Sequence, residues 1–113
     1  GWGTLEFGGP QSKKLMKVSL DVLTNTDCQN RLGSSTVINS AQMCTFSTGK
    51  DTCQYDSGGP LFYTDPTNGL LYQVGVVSFG VACASNKPGV STRITDYLQC
   101  IIDNAPDATF CDI

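Results

Sequence analysis

Six cysteines in a chain of only 113 residues are the feature that most restricts the fold. Such a density in a short chain is typical of secreted domains held together by disulfides. The cysteines lack the Cys-x-x-Cys spacing of zinc or redox sites, and the chain has no histidine to complete a zinc ligand set. The sequence therefore predicts three disulfides and neither a metal nor a cofactor. Six cysteines by themselves leave about 15 pairings open.

Charge and length exclude several classes of protein. Ten acidic residues against seven basic ones give a net charge of −3, and no basic run occurs. We therefore expect neither nucleic-acid nor membrane binding, and the apolar stretches are far shorter than the roughly 20 residues of a membrane span. Any catalysis that needs an imidazole must take it from outside this chain. The chain begins with Gly1, and we interpret it as a mature product or as a piece of a longer protein.

Clusters of glycine and proline divide the chain into short segments. Met16, Val18, Leu20 and Val22 alternate with polar residues, which predicts a half-buried strand. Gly75 interrupts another apolar run and predicts a bulge or a close backbone approach. Further strands are predicted at residues 61–63, 70–79 and 89–94, with a hairpin loop at 65–69.

Two segments have the features of helices. Thr24 or Asn25 can cap a short helix that runs through Leu32. Thr95 or Asp96 can cap a second helix that ends before a proline. The predicted packing face of this C-terminal helix consists of Tyr97, Leu98, Ile101 and Ile102. Many short strands followed by one helix favour a small antiparallel barrel or sandwich.

The segment Asp56-Ser57-Gly58-Gly59-Pro60-Leu61 is the stretch most informative about chemistry. A serine becomes a nucleophile when a neighbouring base takes its proton. Asp, Ser, Gly and Pro are also ordinary turn formers, and these residues alone favour a turn over a nucleophile.

This segment, with Cys53 four residues before Ser57, resembles the nucleophile loop of chymotrypsin-like (trypsin-family) serine proteases. The resemblance covers nearly the whole chain. Gly1-Trp2-Gly3 resembles the opening of the protease's second half, and Ser78-Phe79-Gly80 resembles the Ser-Trp-Gly strand beside the specificity pocket. Residues 87–98 resemble the last strand and the closing helix. The residues before Asp56 and the tail resemble insect venom and CUB-linked proteases.

The resemblance implies an all-β fold: the second six-stranded Greek-key barrel of the double-barrel protease, with a C-terminal helix. Residues 1–113 would be the C-terminal half of the peptidase domain, and the first barrel is absent. The resemblance also implies disulfides between Cys28 and Cys44 and between Cys53 and Cys83. Cys100 and Cys111 then pair with each other or with the absent half.

The family's roles carry over to matching positions. Ser57 would be the nucleophile, and the backbone N–H groups of Tyr55 and Ser57 would form the oxyanion hole. Asp56 would pair with the new N-terminal amine that zymogen cleavage creates. Asp51 would lie at the base of the specificity pocket and pair with a substrate Lys or Arg. Other substrate-binding positions would be Ser78, Phe79, Gly80 and Gly89.

Two departures from the family pattern matter. The triad histidine and aspartate are missing because the first half-barrel is missing, so this piece alone is expected to be inactive. Tyr55 stands where the family usually has glycine.

We interpret the complete protein as a secreted, extracellular serine endopeptidase that cuts after Arg or Lys through a Ser57 acyl-enzyme. Its expected partners are protein or peptide substrates, the missing N-terminal half-barrel and protein protease inhibitors. Three alternatives remain: an inactive protease homologue that acts as a binding or cofactor protein, a venom allergen, and an unrelated disulfide-rich binding module.

Overall fold

The computed structural model describes residues 1–34, 36–80 and 86–111. One curled antiparallel sheet holds the strands of this part of the chain, and their spatial order is β1-β2-β5-β4-β3. The last strand in sequence therefore lies at the centre of the sheet. The strands are β1 Asp21–Leu23, β2 Gln42–Phe46, β3 Pro60–Thr64, β4 Leu71–Gly80 and β5 Gly89–Arg93. Helix α1 spans Asn25–Leu32 and helix α2 spans Leu98–Asn104, so the predicted all-β architecture with a C-terminal helix is confirmed.

The first 20 residues differ from the prediction. Of the alternating run 16–22, only the end lies in β1, so the described residues form five strands where six were expected. Gly1 and Met16 exchange both backbone hydrogen bonds, at 2.7 and 2.9 Å, and Thr4 bridges Gln11. These are isolated pairs rather than a ladder. The predicted apolar face also stays exposed, since Met16 is 48% accessible.

Strands β3 and β4 form the predicted hairpin, and Asp65 orders its loop. The Asp65 N–H donates to the Leu70 carbonyl at 2.9 Å. The Asp65 carboxylate accepts hydrogen bonds from the hydroxyl and the N–H of Thr67, and these bonds lower the pKa of Asp65. Gly75 lies beside a register shift between the two strands, and a Cβ there would lie 3.0 Å from the Met43 sulfur. The predicted bulge at Gly75 is confirmed, and the nearest neighbour of this glycine is a side chain rather than another backbone.

Helix α1 forms for the local reasons that the sequence indicates. The Thr24 hydroxyl accepts a hydrogen bond from the Asp27 N–H and caps the first turn, and Gly33 ends the helix with a φ of +78°. The buried face of α1 presents Cys28 and Leu32 to the sheet. The core that they form is small and includes the buried strand residues Cys44 and Val90.

The cysteines bear out the predicted pairing in part. Cys28 and Cys44 form a disulfide, as the resemblance implied. Cys53 is also disulfide-bonded, and its predicted partner Cys83 lies outside the described residues. The expected third disulfide, between Cys100 and Cys111, is not formed in the structure. Both residues are free, exposed thiols.

The C-terminal helix begins later than expected and leaves its apolar face uncovered. A 3₁₀ turn occupies Ile94–Tyr97, and α2 starts at Leu98 without a side-chain cap. None of the α2 residues is buried, so the predicted packing face is wrong for the described part of the chain: Tyr97, Leu98, Ile101 and Ile102 are 38–50% exposed. No helix in the described ranges is long and apolar enough to cross a membrane.

Candidate active site

The loop that carries Ser57 is fastened to β4 by its backbone. The Gly58 N–H donates to the Val77 carbonyl at 2.8 Å, and the Val77 N–H donates to the Gly59 carbonyl at 2.9 Å. Gly58 has a φ of +84°, which glycine adopts without a steric cost. The Ser57 side chain is exposed, and its hydroxyl donates a long hydrogen bond of 3.4 Å to the Ser78 carbonyl. The proposed nucleophile is therefore held in place and open to solvent.

The Asp56 carboxylate fixes the same loop from the other side. Its oxygens accept the Gly3 N–H at 2.9 Å and the Cys53 N–H at 2.8 Å. A Cβ on Gly1 or Gly3 would overlap the Asp56 carboxylate, so a larger residue at either position would displace that side chain. The Gly1 amine donates to the Met16 carbonyl instead. The predicted pairing of Asp56 with an amine made by zymogen cleavage stays a prediction.

Tyr55 and Ser57 both present backbone N–H groups that are not used elsewhere. Within the described residues, neither group donates a hydrogen bond, whereas the Asp56 N–H between them is bonded to the Cys53 carbonyl. Tyr55 has a φ of +71°, the only positive value at a non-glycine residue in this part of the chain, and its side chain is 71% exposed. Two donors without a partner in the described structure are available to an acceptor from outside the chain.

Asp51 lies beside Gly89, at the end of β4 and β5 where Gly80 pairs with Gly89. A Cβ on Gly89 would lie 2.9 Å from the Asp51 Oδ1, so glycine leaves room beside a half-buried carboxylate. A Cβ on Gly80 would make only ordinary contact, at 3.7 Å from the Gly89 Cα. The backbone of Ser78 falls at a register shift in the β4–β5 ladder, and the end of β4 through Phe79 and Gly80 is exposed.

One open cavity of about 1390 Å³ connects several of these groups. Asp51, Tyr55 and Ser57 line it, together with Gly3 and Thr45. The structural roles of Gly3 and Thr45 were missed at the sequence level. Gly3 belonged to a recognised motif, but its contact with Asp56 spans 53 residues, and nothing local to Thr45 signals that it faces Asp51.

Comparison with known proteins identifies the family of the chain. The trypsin family matches residues 1–101. The chain is 41% identical over 111 residues to a venom serine protease of Polistes dominula, covering 98% of this chain and 40% of that protein. It is 36% identical over 113 residues to venom serine protease 34 of Apis mellifera, covering 100% of this chain and 27% of that protein. It is 39% identical over 107 residues to the proclotting enzyme of Tachypleus tridentatus, covering 92% of this chain and 28% of that protein.

The chain thus spans two fifths or less of the length of these relatives. The matched region nevertheless includes the loop that carries Ser57, the Gly-Trp-Gly segment and strand β5. On this extent of similarity, the chain belongs to the trypsin family of serine proteases.

Proposed function

We propose that this chain is the C-terminal half of a secreted serine endopeptidase that cleaves protein or peptide substrates after Arg or Lys. One observation carries the proposal: the exposed Ser57 hydroxyl lies on a loop whose Tyr55 and Ser57 N–H groups are both unbonded in the described structure. A nucleophile next to two free donors suits acyl transfer, in which an oxyanion develops. The names of the relatives, which are serine proteases and a clotting enzyme, support the same class.

In this mechanism, the Ser57 Oγ attacks the carbonyl carbon of the scissile bond, and a base takes the Ser57 proton. Because the chain contains no histidine, a residue outside these 113 must supply the base. The carbonyl π electrons move to oxygen, where the N–H groups of Tyr55 and Ser57 stabilise the negative charge. The amine leaves with the proton, and water then hydrolyses the Ser57 ester.

Asp51 would select the substrate's basic side chain. Its carboxylate is half-buried, and Gly89 leaves space beside it. A cation that enters this space gains a charge-assisted hydrogen bond. Backbone groups of Ser78 to Gly80 would bind the substrate in an extended conformation.

Asp56 would hold the loop that carries the oxyanion-hole N–H groups. Protein protease inhibitors would occupy the same cleft as the substrate. The Cys28–Cys44 disulfide suits an extracellular protein.

The test uses the full-length protein that contains this chain. Peptide amides that differ only in Arg, Lys, Tyr or Leu before the scissile bond are hydrolysed in parallel. We expect cleavage after Arg and Lys that Ser57→Ala abolishes, and labelling of Ser57 by a fluorophosphonate. Asp51→Ser should reduce cleavage after Arg and Lys far more than after Tyr or Leu, because the cation loses its partner.

Asp107→Ser is the matched control, because Asp107 is exposed and makes no side-chain hydrogen bond in the described structure. It should leave all rates unchanged. Equal losses on every substrate in Asp51→Ser would mean that Asp51 is structural. A full-length protein that hydrolyses none of the substrates, and does not react with the phosphonate, would favour the inactive homologue.

A further inference from the structure

Thr4 holds the segment that precedes Ser57 through both its backbone and its side chain. The residue is only 4% exposed. Its N–H donates to the Gln54 carbonyl at 2.9 Å, and its hydroxyl donates to the Cys53 Sγ at 2.8 Å. Thr4 also forms an antiparallel bridge with Gln11. Thr4 therefore contacts two consecutive residues of the loop from a position that is itself fixed.

The bond from Thr4 determines where the next N–H group of the loop points. The peptide bond between Gln54 and Tyr55 is trans. Because a trans peptide is planar, its C=O and its N–H point in opposite directions. The Gln54 carbonyl faces Thr4, so the Tyr55 N–H faces away from Thr4. This N–H is one of the two that stay unbonded in the described structure.

Tyr55 is strained in this orientation. Its φ of +71° lies in the region that a residue with a Cβ rarely adopts. Reversal of the Gln54–Tyr55 peptide would bring this φ into the negative range, and the strain favours that reversal by about tenfold. Reversal would also leave the Thr4 N–H without its acceptor, at a residue that water scarcely reaches. The bond from Thr4 therefore opposes the strain.

We propose that Thr4 is a positioning residue for the oxyanion-binding N–H group of Tyr55. The Thr4 N–H holds the Gln54 carbonyl, and the Thr4 hydroxyl, bonded to Cys53, keeps that N–H in place. Together the two bonds prevent the strained peptide from reversing. This inference rests on the proposed function, and it assigns Thr4 no contact with the substrate.

A second bond to Gln54 is a weaker candidate for this role. The Gly8 N–H donates to the Gln54 Oε1 at 3.0 Å, but this bond is exposed. Water can replace an exposed partner at little cost, whereas the Thr4 N–H is shielded from water. The bond from Gly8 also holds the side chain of Gln54 and not the peptide that would reverse.

The first test is Thr4→Val in the full-length protein, which removes the hydroxyl and keeps the shape. We expect kcat for an arginyl amide to fall about tenfold, less than the roughly 10²–10³-fold cost of losing a donor altogether. KM should change by less than about twofold, because the region of Asp51 is untouched. Thr4→Ser should retain the original kcat. Thr95→Val is the matched control and should also retain it, because Thr95 is exposed and its hydroxyl makes no hydrogen bond in the described structure.

The strain at Tyr55 provides a measurement that a merely structural role of Thr4 would not affect. In a Tyr55→Gly background, Thr4→Val should change kcat by less than about twofold, because glycine adopts either sign of φ and nothing drives the peptide to reverse. An equal fall of kcat in both backgrounds would overturn the inference. An unchanged kcat in the Thr4→Val variant alone would overturn it as well.

Crystal structures separate this inference from the proposed function. They compare the full-length Ser57→Ala protein with and without Thr4→Val, and they show the direction of the Gln54 carbonyl whether or not the protein hydrolyses a substrate. We expect the carbonyl to face the N–H of residue 4 when Thr4 is present. In Thr4→Val it should be reversed, with a negative φ at Tyr55. An unreversed carbonyl in that variant would overturn the inference and leave the proposed function standing.

Discussion

At the scale of single residues, backbone contacts from distant parts of the chain fix the loop around Ser57. Tyr55 has a φ that L-residues rarely adopt. Its neighbour Asp56 is tied to Gly3 and to Cys53, and the Gly58 N–H is bonded to β4. Strained residues persist where the surroundings over-determine them, and such residues cluster at functional sites. Within the described residues, the N–H groups of Tyr55 and Ser57 remain unbonded.

Gly3→Ala should disrupt the loop through Asp56. The new Cβ would overlap the Asp56 carboxylate, and the Gly3 hydrogen bond would be lost. We expect the free energy of unfolding of the full-length protein to fall by about 1–3 kcal/mol, as when a buried polar group loses its partner. The rates of hydrolysis of all substrates should fall together. Denaturation curves measure the loss of stability, and rate assays measure the loss of activity.

Gly8→Ala is the control for this substitution. Gly8 has a φ of +75°, and a Cβ there would contact nothing within 4 Å. The variant should lose some stability through backbone strain but retain its activity. A Gly3→Ala variant with normal activity would show that the Asp56 contacts do not position the oxyanion loop.

Tyr55→Gly should relieve strain and open the cleft. Glycine at this φ is favoured over a residue with a Cβ by about 1–2 kcal/mol. The exposed Tyr55 side chain lines the same cavity as Ser57, so its removal should strengthen binding of rigid Kunitz-type inhibitors and raise the rate on small substrates only slightly. Inhibition constants and kcat/KM of the full-length protein measure both effects. A rate gain of about 10²–10³ would instead mean that Tyr55 breaks the oxyanion hole.

At the scale of elements, α1 is held to the sheet by a buried disulfide. Cys28 and Cys44 are both fully buried, and they form the small core with Leu32 and Val90. β2 carries Cys44 and the cavity-lining Thr45 on opposite faces. The disulfide therefore anchors the strand that presents Thr45 to Asp51.

Replacing both Cys28 and Cys44 by alanine should destabilise the full-length protein by about 3 kcal/mol, the chain-entropy value for a loop of this size. The sequence separation of the two cysteines is 16. Cys100→Ser with Cys111→Ser is the matched control, and we expect little change because both thiols are free and exposed. The denaturant midpoints of the two double variants measure both changes in stability. An equal loss in the control would mean that Cys100 or Cys111 forms a disulfide in the complete protein.

At the scale of the whole molecule, the curled sheet leaves much apolar surface open. Several apolar side chains that line the cavity remain 48–65% exposed, among them Leu15, Met16, Phe62 and Leu71. Apolar surface that stays exposed in this way favours interaction with a partner or self-association. This chain covers 40% and 27% of two of its relatives, and under the proposed function the N-terminal half-barrel would cover this surface.

The isolated chain should therefore hydrolyse nothing and associate with itself. It contains no histidine to act as the base, and loss of the triad base removes most of the rate. On the 113-residue chain, an arginyl-amide assay tests for hydrolysis and light scattering tests for self-association. Turnover that disappears in Ser57→Ala would contradict the prediction, because this chain would then contain a complete catalytic site.

The sequence by itself determined the features that depend on neighbouring residues or on a motif. The Thr24 cap and the loop at Asp65 could be predicted, because capping and turn chemistry act within a few residues. The role of Ser57 as a nucleophile stays a prediction. The Cys28–Cys44 disulfide followed from the resemblance. What only the tertiary structure decided depends on which distant residues meet. Sheet register and packing between segments far apart in sequence decided four features that no local pattern records. They are the Gly3 contact with Asp56, the left-handed φ of Tyr55, the uncovered face of α2 and the place of Thr45 beside Asp51.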